Sequence, residues 1–475
     1  MRDKTFLSRR EALAGLAASG AISAISAMST VSAFGEASQT PAAREQSHAA
    51  SSDAAVLSSE QRSQGSQALR RYFAGNAAQL LRPAVGIFRY PSVSPSLPGK
   101  EYSTQLWDWD TLWTSRGLFR LAEMERDEAL RQKLCEHVSG SLLNFLDHAA
   151  ADGRMPIMME PNNPDPLREI GPDTPSRNQA KPVFGQLGLL AADQRKDASW
   201  LAPHFDSILR FYDSWTAHNL SSTGLLVWGD DVAIGDDNDP TTFGRPFFSS
   251  ANLLLNCLYY EDLRASAELA RRLGRAKDEG RLAAEADAVA AAIRQYCWDP
   301  RDSYFYTVDV QCVDRRAELI PSVPRGMAMS WKCLPLKVQM FTGFLPLWCG
   351  IATQAQAAEL VKVNYAADDR LRAQWGVRSL SSREAMYSLA FSSNPSNWLG
   401  PVWILVNYLT WRGLTRYGFH SEADALADKT IALLADDLKK NGSLNEYYHP
   451  DTGAALSHKG FMDWNLLVLE MMGSA

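Results

Sequence analysis

FSSANLLLNCLYYEDLRASAELARRLGRAKDEGRLAAEADAVAAAIRQYC, residues 248–297, reads as two amphipathic helices, 248–271 and 276–297, broken at Leu273-Gly274. Apolar residues recur at three- and four-residue spacing along both, so each has one face to bury and the two can pack as a pair. On either side the same pattern returns at 66–81, 111–127, 129–150, 183–193, 198–217, 336–349, 354–364, 382–391, 400–418, 421–439 and 459–472, separated by Gly-, Pro- and Asp-rich connections. Strand signals are short and confined to 225–228, 304–310 and 444–448. No Gly-rich strand-to-helix turn opens a repeated strand-helix-strand unit, which argues against a doubly wound sheet. Consecutive helices of this number can pack as pairs around an axis and close on themselves. The predicted fold class is therefore all-α: an (α/α)6 toroid of paired helices with long rim loops around a central funnel, a single domain over 66–475. An open solenoid is the architectural rival, but no fixed-period self-similarity supports it.

The 475 residues carry 48 Lys+Arg and 54 Asp+Glu, a formal charge of -6. That leaves no basic field for a nucleic-acid backbone. A 46% hydrophobic composition excludes a mostly disordered chain. Residues 1–33 read as a cleaved export signal: Arg2 and Lys4, then Ser8-Arg9-Arg10-Glu11-Ala12-Leu13, then a weakly apolar run ending Val31-Ser32-Ala33. The arginine pair resembles a bacterial twin-arginine signal, which predicts the twin-arginine export machinery as a transient partner and a periplasmic or secreted product. Residues 34–65, rich in Ser, Ala and Gln, read as a disordered leader. No later stretch holds 18 apolar residues in a row, so the mature form is expected to have no membrane partner. Cys135, Cys257, Cys297, Cys312, Cys333 and Cys349 show no metal-ligand spacing. Cys297 with Cys312, flanking Tyr304-Phe305-Tyr306, is a candidate hairpin-closing disulfide.

Four loops concentrate polar and aromatic residues. Gln105-Leu106-Trp107-Asp108-Trp109-Asp110-Thr111-Leu112-Trp113 precedes a helix that Asp110 can cap. Its three Trp and two Asp exceed what capping requires. Flat indole faces meet the apolar faces of sugar rings while carboxylates accept hydroxyl hydrogens, so the cluster suits a carbohydrate subsite. In Gly229-Asp230-Asp231-Val232-Ala233-Ile234-Gly235-Asp236-Asp237-Asn238-Asp239-Pro240 the aspartates repel one another, which can keep a carboxylic acid protonated near neutral pH, as a general acid requires. A calcium loop is the alternative, although the helix-loop-helix calcium pattern is not met. Asn441-Gly442-Ser443-Leu444-Asn445-Glu446-Tyr447-Tyr448-His449-Pro450-Asp451-Thr452-Gly453 leads to Phe461, Asp463 and Trp464, and spacing alone leaves Glu446 either a surface charge or a positioned base. Asn394-Pro395-Ser396-Asn397-Trp398-Leu399-Gly400-Pro401-Val402-Trp403 opens a Trp-rich helix with Asn407 and Trp411.

Together these loops resemble the inverting α-glycosidases of glycoside hydrolase family 63, especially the bacterial mannosylglycerate/glucosylglycerate hydrolase branch, and more distantly the family 37 trehalases. The resemblance runs from about Ala84 to Met472. Trp109-Asp110-Thr111 is similar to that family's Trp-Asp-Ser segment. Gly235-Asp236-Asp237-Asn238-Asp239-Pro240 is similar to its Gly-Met-Asp-Asn-Ser-Pro segment, which implies Asp237 as the general acid. Glu446-Tyr447-Tyr448-His449-Pro450-Asp451-Thr452-Gly453 implies Glu446 as the general base, and Gly343-Phe344-Leu345-Pro346-Leu347 and 397–403 fit as well. Asp236 and Asp239 stand where Met and Ser are usual. Pro161-Asn162-Asn163-Pro164-Asp165-Pro166 does not match the glycerate-binding pattern. The expectation is an inverting hydrolase of a small α-linked glucoside or related disaccharide, with Asp110, Trp107 and Trp109 on the sugar and Gln179, Arg245 and Trp398 as further binding candidates. No cofactor or metal is required by this chemistry. The rivals are an epimerase or lyase on the same toroid, using His449 with Tyr447 or Tyr448, and a non-catalytic carbohydrate-binding protein.

Overall fold

A computed structural model describes residues 57–168, 177–312, 331–367, 369–390 and 395–473. The export segment and most of the leader lie outside the described residues. The first helix, α1 (Ser59–Asn76), starts earlier than the predicted position 66. The cause is local: Ser58 Oγ accepts the Gln61 N–H while the Gln61 side chain accepts the Ser58 N–H, a reciprocal cap.

Helices then follow in pairs: α2 (Asp108–Glu125) and α3 (Glu128–Asp147), α4 (Phe184–Arg195) and α5 (Phe205–Asn219), α6 (Leu253–Arg272) and α7 (Ala276–Ala292). After these come α8 (Leu345–Trp348) and α9 (Gln354–Leu360), α10 (Ile404–Arg416) and α11 (His420–Asn441), and α12 (Val468–Met471), the last preceded by a turn over Trp464–Leu467. Among the described residues, α2, α4, α6, α8 and α10 pack each on the next, α10 packs on 464–471, and 464–471 packs back on α2. This is a closed inner ring. The remaining helices alternate with it on the outside, and α1 bridges α11 to α2 across the seam. The architecture is the (α/α)6 toroid.

Two kinds of connection result. Those from an inner to the next outer helix are mostly tight, as at 126–127, 273–275 and 417–419, whereas those leading into an inner helix are long. The long connections carry the short strand pairs, such as Leu106–Trp107 on Met158–Met159 and Ser250–Ala251 on Val308–Asp309.

Several local expectations give way to tertiary contacts. Residues 382–390 form turns rather than a helix, with the Glu384 carboxylate accepting the Gln339 N–H and Ser388 N bonding Leu399 O; residue 391 lies outside the described residues. The predicted 336–349 helix narrows to 341–348, because Lys337 is held by Asp299 and Asp302 and its neighbours are extended. The last helix starts at 464, since Pro95 O accepts both the Met462 and Asp463 N–H groups. At 225–228 and 444–448 only single bridges form, Leu220 with Leu226, and Tyr448 with Val402 and Ala455. All six cysteines are free thiols. The expected Cys297–Cys312 pairing fails because Cys297 is enclosed at the end of its helix while Cys312 lies beyond Asp309, partly exposed. Among the described residues no helix is long and apolar enough to cross a membrane.

Candidate active site

The inner helices all begin on one face of the ring, and the residues enclosing a narrow cavity of about 60 Å³ come from these starts and from the connections into them. Tyr102, Trp107, Trp109 and Asp110 come from the start of α2, Lys181 from before α4, and Ala233, Gly235 and Asp237 from before α6. Ser396 and Trp398 precede α10, Glu446 precedes the last inner turn and Trp464 opens it.

Trp107 is the boundary residue of α2, which begins at Asp108, so Asp110 sits in the first turn instead of capping it. Two positions apart on a helix, Asp108 and Asp110 face different ways. Asp108 is fully buried and paired to Lys181, with Nζ at 3.1 Å and the Lys181 N–H donating at 2.6 Å. Lys181 Nζ also donates to Ala233 O at 3.1 Å and stands 5.2 Å from the Trp109 ring centroid. Asp110 faces the cavity and Asp463. Burial, with a smaller push from Asp108, raises its carboxyl to about 7 despite the opposing hydrogen bond from Asp463 and the charge of Lys181. Asp463 is raised well above the usual carboxylate range by burial and then by Asp110. Asp463 Oδ1 accepts from Thr114 at 2.9 Å, while Oδ2 lacks any donor. A proton kept on Asp463 and donated to Asp110 satisfies both observations.

The acidic loop is organised by its own carboxylates. Asp230 accepts the Arg177 and Val232 N–H groups, and Asp231 accepts the Gly244 N–H. Asp239 accepts from the Thr241 hydroxyl and N–H and from Asn252. Among the described residues no cluster of three or more His, Cys, Asp or Glu is arranged to hold a metal ion. Asp236 is fully buried beside Asp239; burial first and that neighbour second raise its carboxyl well above the ordinary range. The two extra aspartates therefore form a buried pair beneath the loop, and half-buried Asp237 is the one that reaches the cavity. Gly235 makes the approach possible. Its φ is +101°, and a Cβ would lie 3.0 Å from the Trp109 ring. Across the loop, Asn238 accepts the Trp398 N–H at 2.7 Å and donates to Asn397 at 3.2 Å.

Trp398 stacks on Trp403 with centroids 4.0 Å apart and planes 8° apart, and leans on Trp109 and Phe341. Trp464 packs edge-on against Trp109 and Trp403, and its Nε1 donates to the Glu446 carbonyl at 3.0 Å. That bond and the Glu446 N–H to Ser457 O fix the Glu446 backbone. The Glu446 side chain is buried, and burial followed by repulsion from Asp110 and Asp237 raises its carboxyl well above normal. His458 Nε2 lies 3.6 Å from Glu446 Oε2, but burial lowers the imidazole's proton affinity and keeps it neutral at pH 7, so this is no ion pair.

Asp237, Glu446, Asp110, Trp107, Trp109 and Trp398 thus meet at one cavity, as expected. Gln179 and Arg245 do not line it: the Arg245 guanidinium is bound by Asp309, and Gln179 is buried outside the lining with Oε1 unpartnered. Tyr102, Lys181, Ser396 and Trp464 line it without having been singled out; of these, Ser396 and Trp464 stood in the quoted polar and aromatic stretches. His449 accepts backbone N–H groups of Asp451 and Thr452, Tyr447 donates to Pro395 O and Tyr448 to Asp437, so this rival set is engaged away from the cavity. A larger open groove lies farther along the inner helices, around Arg116, Glu261 and Glu470; its charges are joined in ion pairs such as Arg116–Glu470 at 2.7 Å.

The domain model described as mannosylglycerate hydrolase MGH1-like glycoside hydrolase matches residues 103–463. Mannosylglycerate hydrolase MGH1 of Selaginella moellendorffii is 32% identical over 112 residues, 23% of this chain and 20% of that protein. The mannosylglycerate hydrolase of Thermus thermophilus is 29% identical over 140 residues, 29% of this chain and 31% of that protein. These alignments span about a fifth to a third of the relatives' lengths. Among solved structures, the GH63 mannosylglycerate hydrolase from another strain of Thermus thermophilus, in complex with Tris and D-glycerate, superposes with a TM-score of 0.60 at 18% identity, covering 85% of this chain and 99% of that one. Neutral trehalase Nth1 of Saccharomyces cerevisiae gives a TM-score of 0.54 at 16% identity, covering 81% and 74%. At such identities the likeness shows a shared fold. The domain match over most of the length decides the family: the chain belongs to the mannosylglycerate hydrolase MGH1-like glycoside hydrolases, of the family 63 kind.

Proposed function

We propose that this protein is an inverting α-glycosidase that hydrolyses a small α-linked glucoside or related disaccharide. The supporting observation is the convergence of Asp237 and Glu446, from loops far apart in the chain, on one aromatic-walled cavity that also holds Asp110. In this reading Asp237 protonates the glycosidic oxygen as the C1–O bond breaks. Glu446 takes a proton from the water that attacks C1 on the opposite face, and Asp110 accepts sugar hydroxyl hydrogens beside Trp107 and Trp109, with Trp398 in the wall. Inversion requires the two carboxyls to stand roughly 6.5–9.5 Å apart, leaving room for that water.

An NMR time course over α-linked disaccharides and glycosides tests the reading, with mannosylglycerate, which the relatives are named for, included in the panel. Release of the β-anomer first is the expected result. Initial α-anomer would mean retention, an unsaturated or epimerised product a lyase or epimerase, and binding without turnover a carbohydrate-binding protein; each would overturn the proposal. We further propose that the enzyme works in the periplasm or outside the cell, so Arg9→Lys with Arg10→Lys should strand an uncleaved precursor in the cytoplasm on fractionation.

A further inference from the structure

The turn that opens the last inner segment holds two cavity residues at once. Trp464 Nε1 donates to the Glu446 carbonyl, and the neighbouring Asp463 lies against Asp110. Asp463 is fully buried, its N–H donates to Pro95 O at 3.0 Å, and its Oδ1 accepts from the Thr114 hydroxyl at 2.9 Å. Thr114 follows Asp110 by four positions on α2, one turn along the same face, so the side chain that Thr114 holds is held beside Asp110 too. Oδ2 has no donor. An ionised carboxylate so enclosed beside a second one would carry an uncompensated buried charge, whereas a protonated one has a hydrogen to give. The charged and titratable groups facing the pair are Asp108 and Lys181, joined to each other at 3.1 Å, and Glu446, Tyr102 and Asp237 of the cavity lining.

Resting on the glycosidase reading, we propose that Asp463 is the positioning residue of the sugar subsite: it keeps one proton, donates it to Asp110, and so fixes Asp110 as an ionised acceptor for a sugar hydroxyl. A carboxylate has about four lone-pair sites, and one bond to Asp463 leaves the others for the ligand. Burial raises Asp110 to about 7 while the bond from Asp463 favours its ionised form; Asp463, higher still, keeps its own proton there. Sugar binding is therefore full on the alkaline side of that value and is lost as the pH falls through about 7, where Asp110 gains a proton of its own.

Two uncharged probes, D-glucose and D-mannose, leave every titration to the protein. Their binding is read from tryptophan fluorescence, since Trp107, Trp109, Trp398 and Trp464 line the site. The amide of Asp463→Asn can accept from Thr114 and donate to Asp110 but cannot ionise; Asp463→Leu has a similar shape and no donor. At about pH 8 the Asn variant should keep the affinity of the better probe within ~3-fold, and the Leu variant should weaken it at least ~10-fold. The pH at which binding is half lost should stay at about 7 in the Asn variant and rise in the Leu variant, because the bond that favours ionised Asp110 is gone. A purely structural role would leave that midpoint in place. Infrared difference spectra of wild type against Asp463→Asn should show one protonated carboxyl lost, which reads the proton even where the Leu variant does not fold. Equal losses of affinity in the two variants, an unmoved midpoint in the Leu variant, loss of an ionised carboxylate band instead, or no binding of either sugar at millimolar concentration would overturn the inference. Hydrolysis keeps the two readings apart: binding that follows Asp463 as stated, without turnover of any glycoside, removes the glycosidase and leaves the positioning role, and turnover with sugar affinity indifferent to Asp463→Leu does the reverse.

Discussion

At the residue scale the proposed acid and the proposed base have different surroundings. Asp237 is half-buried on a loop tied by Asn238 to the Trp398 segment before α10, whereas Glu446 is enclosed. A general base must be ionised, so activity is lost as the pH falls through its folded pKa. Because burial and the charges of Asp110 and Asp237 raise Glu446, the acid limb of kcat/KM should lie well above the ~4.3 of a free glutamate. The two roles separate on an activated substrate. Asp237→Asn and Glu446→Gln should each lower kcat on an α-glucoside by ~10²–10⁴. On α-glucosyl fluoride, whose leaving group needs no proton, Asp237→Asn should recover most of that loss and Glu446→Gln none. Recovery by Glu446→Gln alone would reverse the assignment.

At the scale of elements, the inner helices come close because small residues stand at their contacts. A Cβ on Gly117 of α2 would lie 2.3 Å from Leu466 Cβ, in the turn that carries Trp464. Gly117→Ala should therefore destabilise the protein by about 1–3 kcal/mol and lower kcat, since it displaces Trp464, which holds the Glu446 carbonyl. A Cβ on Gly280 of α7 would meet nothing within 4 Å, so Gly280→Ala should stabilise by about 0.5–1 kcal/mol with activity unchanged. Urea denaturation and kinetics on the two variants check the opposite signs. Caps have the same two-fold character. Asn252 accepts the Leu255 N–H to start α6 and donates to Asp239 Oδ2 at 2.9 Å, so one side chain begins the helix and anchors the acidic loop before it.

At the scale of the whole molecule, closure is what makes the cavity. Helix α1 seals the seam: Leu69 and Phe73 are fully buried, Arg62 pairs with Asp428 of α11, and Tyr72 bonds Ser443 at 3.1 Å. A chain beginning at residue 77 should lose at least about 3 kcal/mol relative to one beginning at 57, from those two side chains alone, as read by urea unfolding. The alternation of helices was legible because amphipathic periodicity is a local property, and so were the loops at 105–113, with more Trp and Asp than capping requires, and at 229–240, with its run of aspartates, whereas at 441–453 spacing alone left the role of Glu446 open. Residues 382–390 were misread because their polar groups are satisfied by Gln339 and Leu399, partners remote in sequence. Arg245 seemed a binding residue by its nearness to the acidic loop, yet Asp309 on the facing strand binds it; Lys181, isolated in the sequence, reaches the cavity wall because Asp108 draws it in. The amino-acid sequence by itself determined most of the helical segments, the face each one buries and which loops hold the acids, for these depend on neighbours a few residues away. Which acids meet, and which charges are cancelled before a ligand arrives, was decided only when the ring closed, because direction and burial are set by residues hundreds of positions apart.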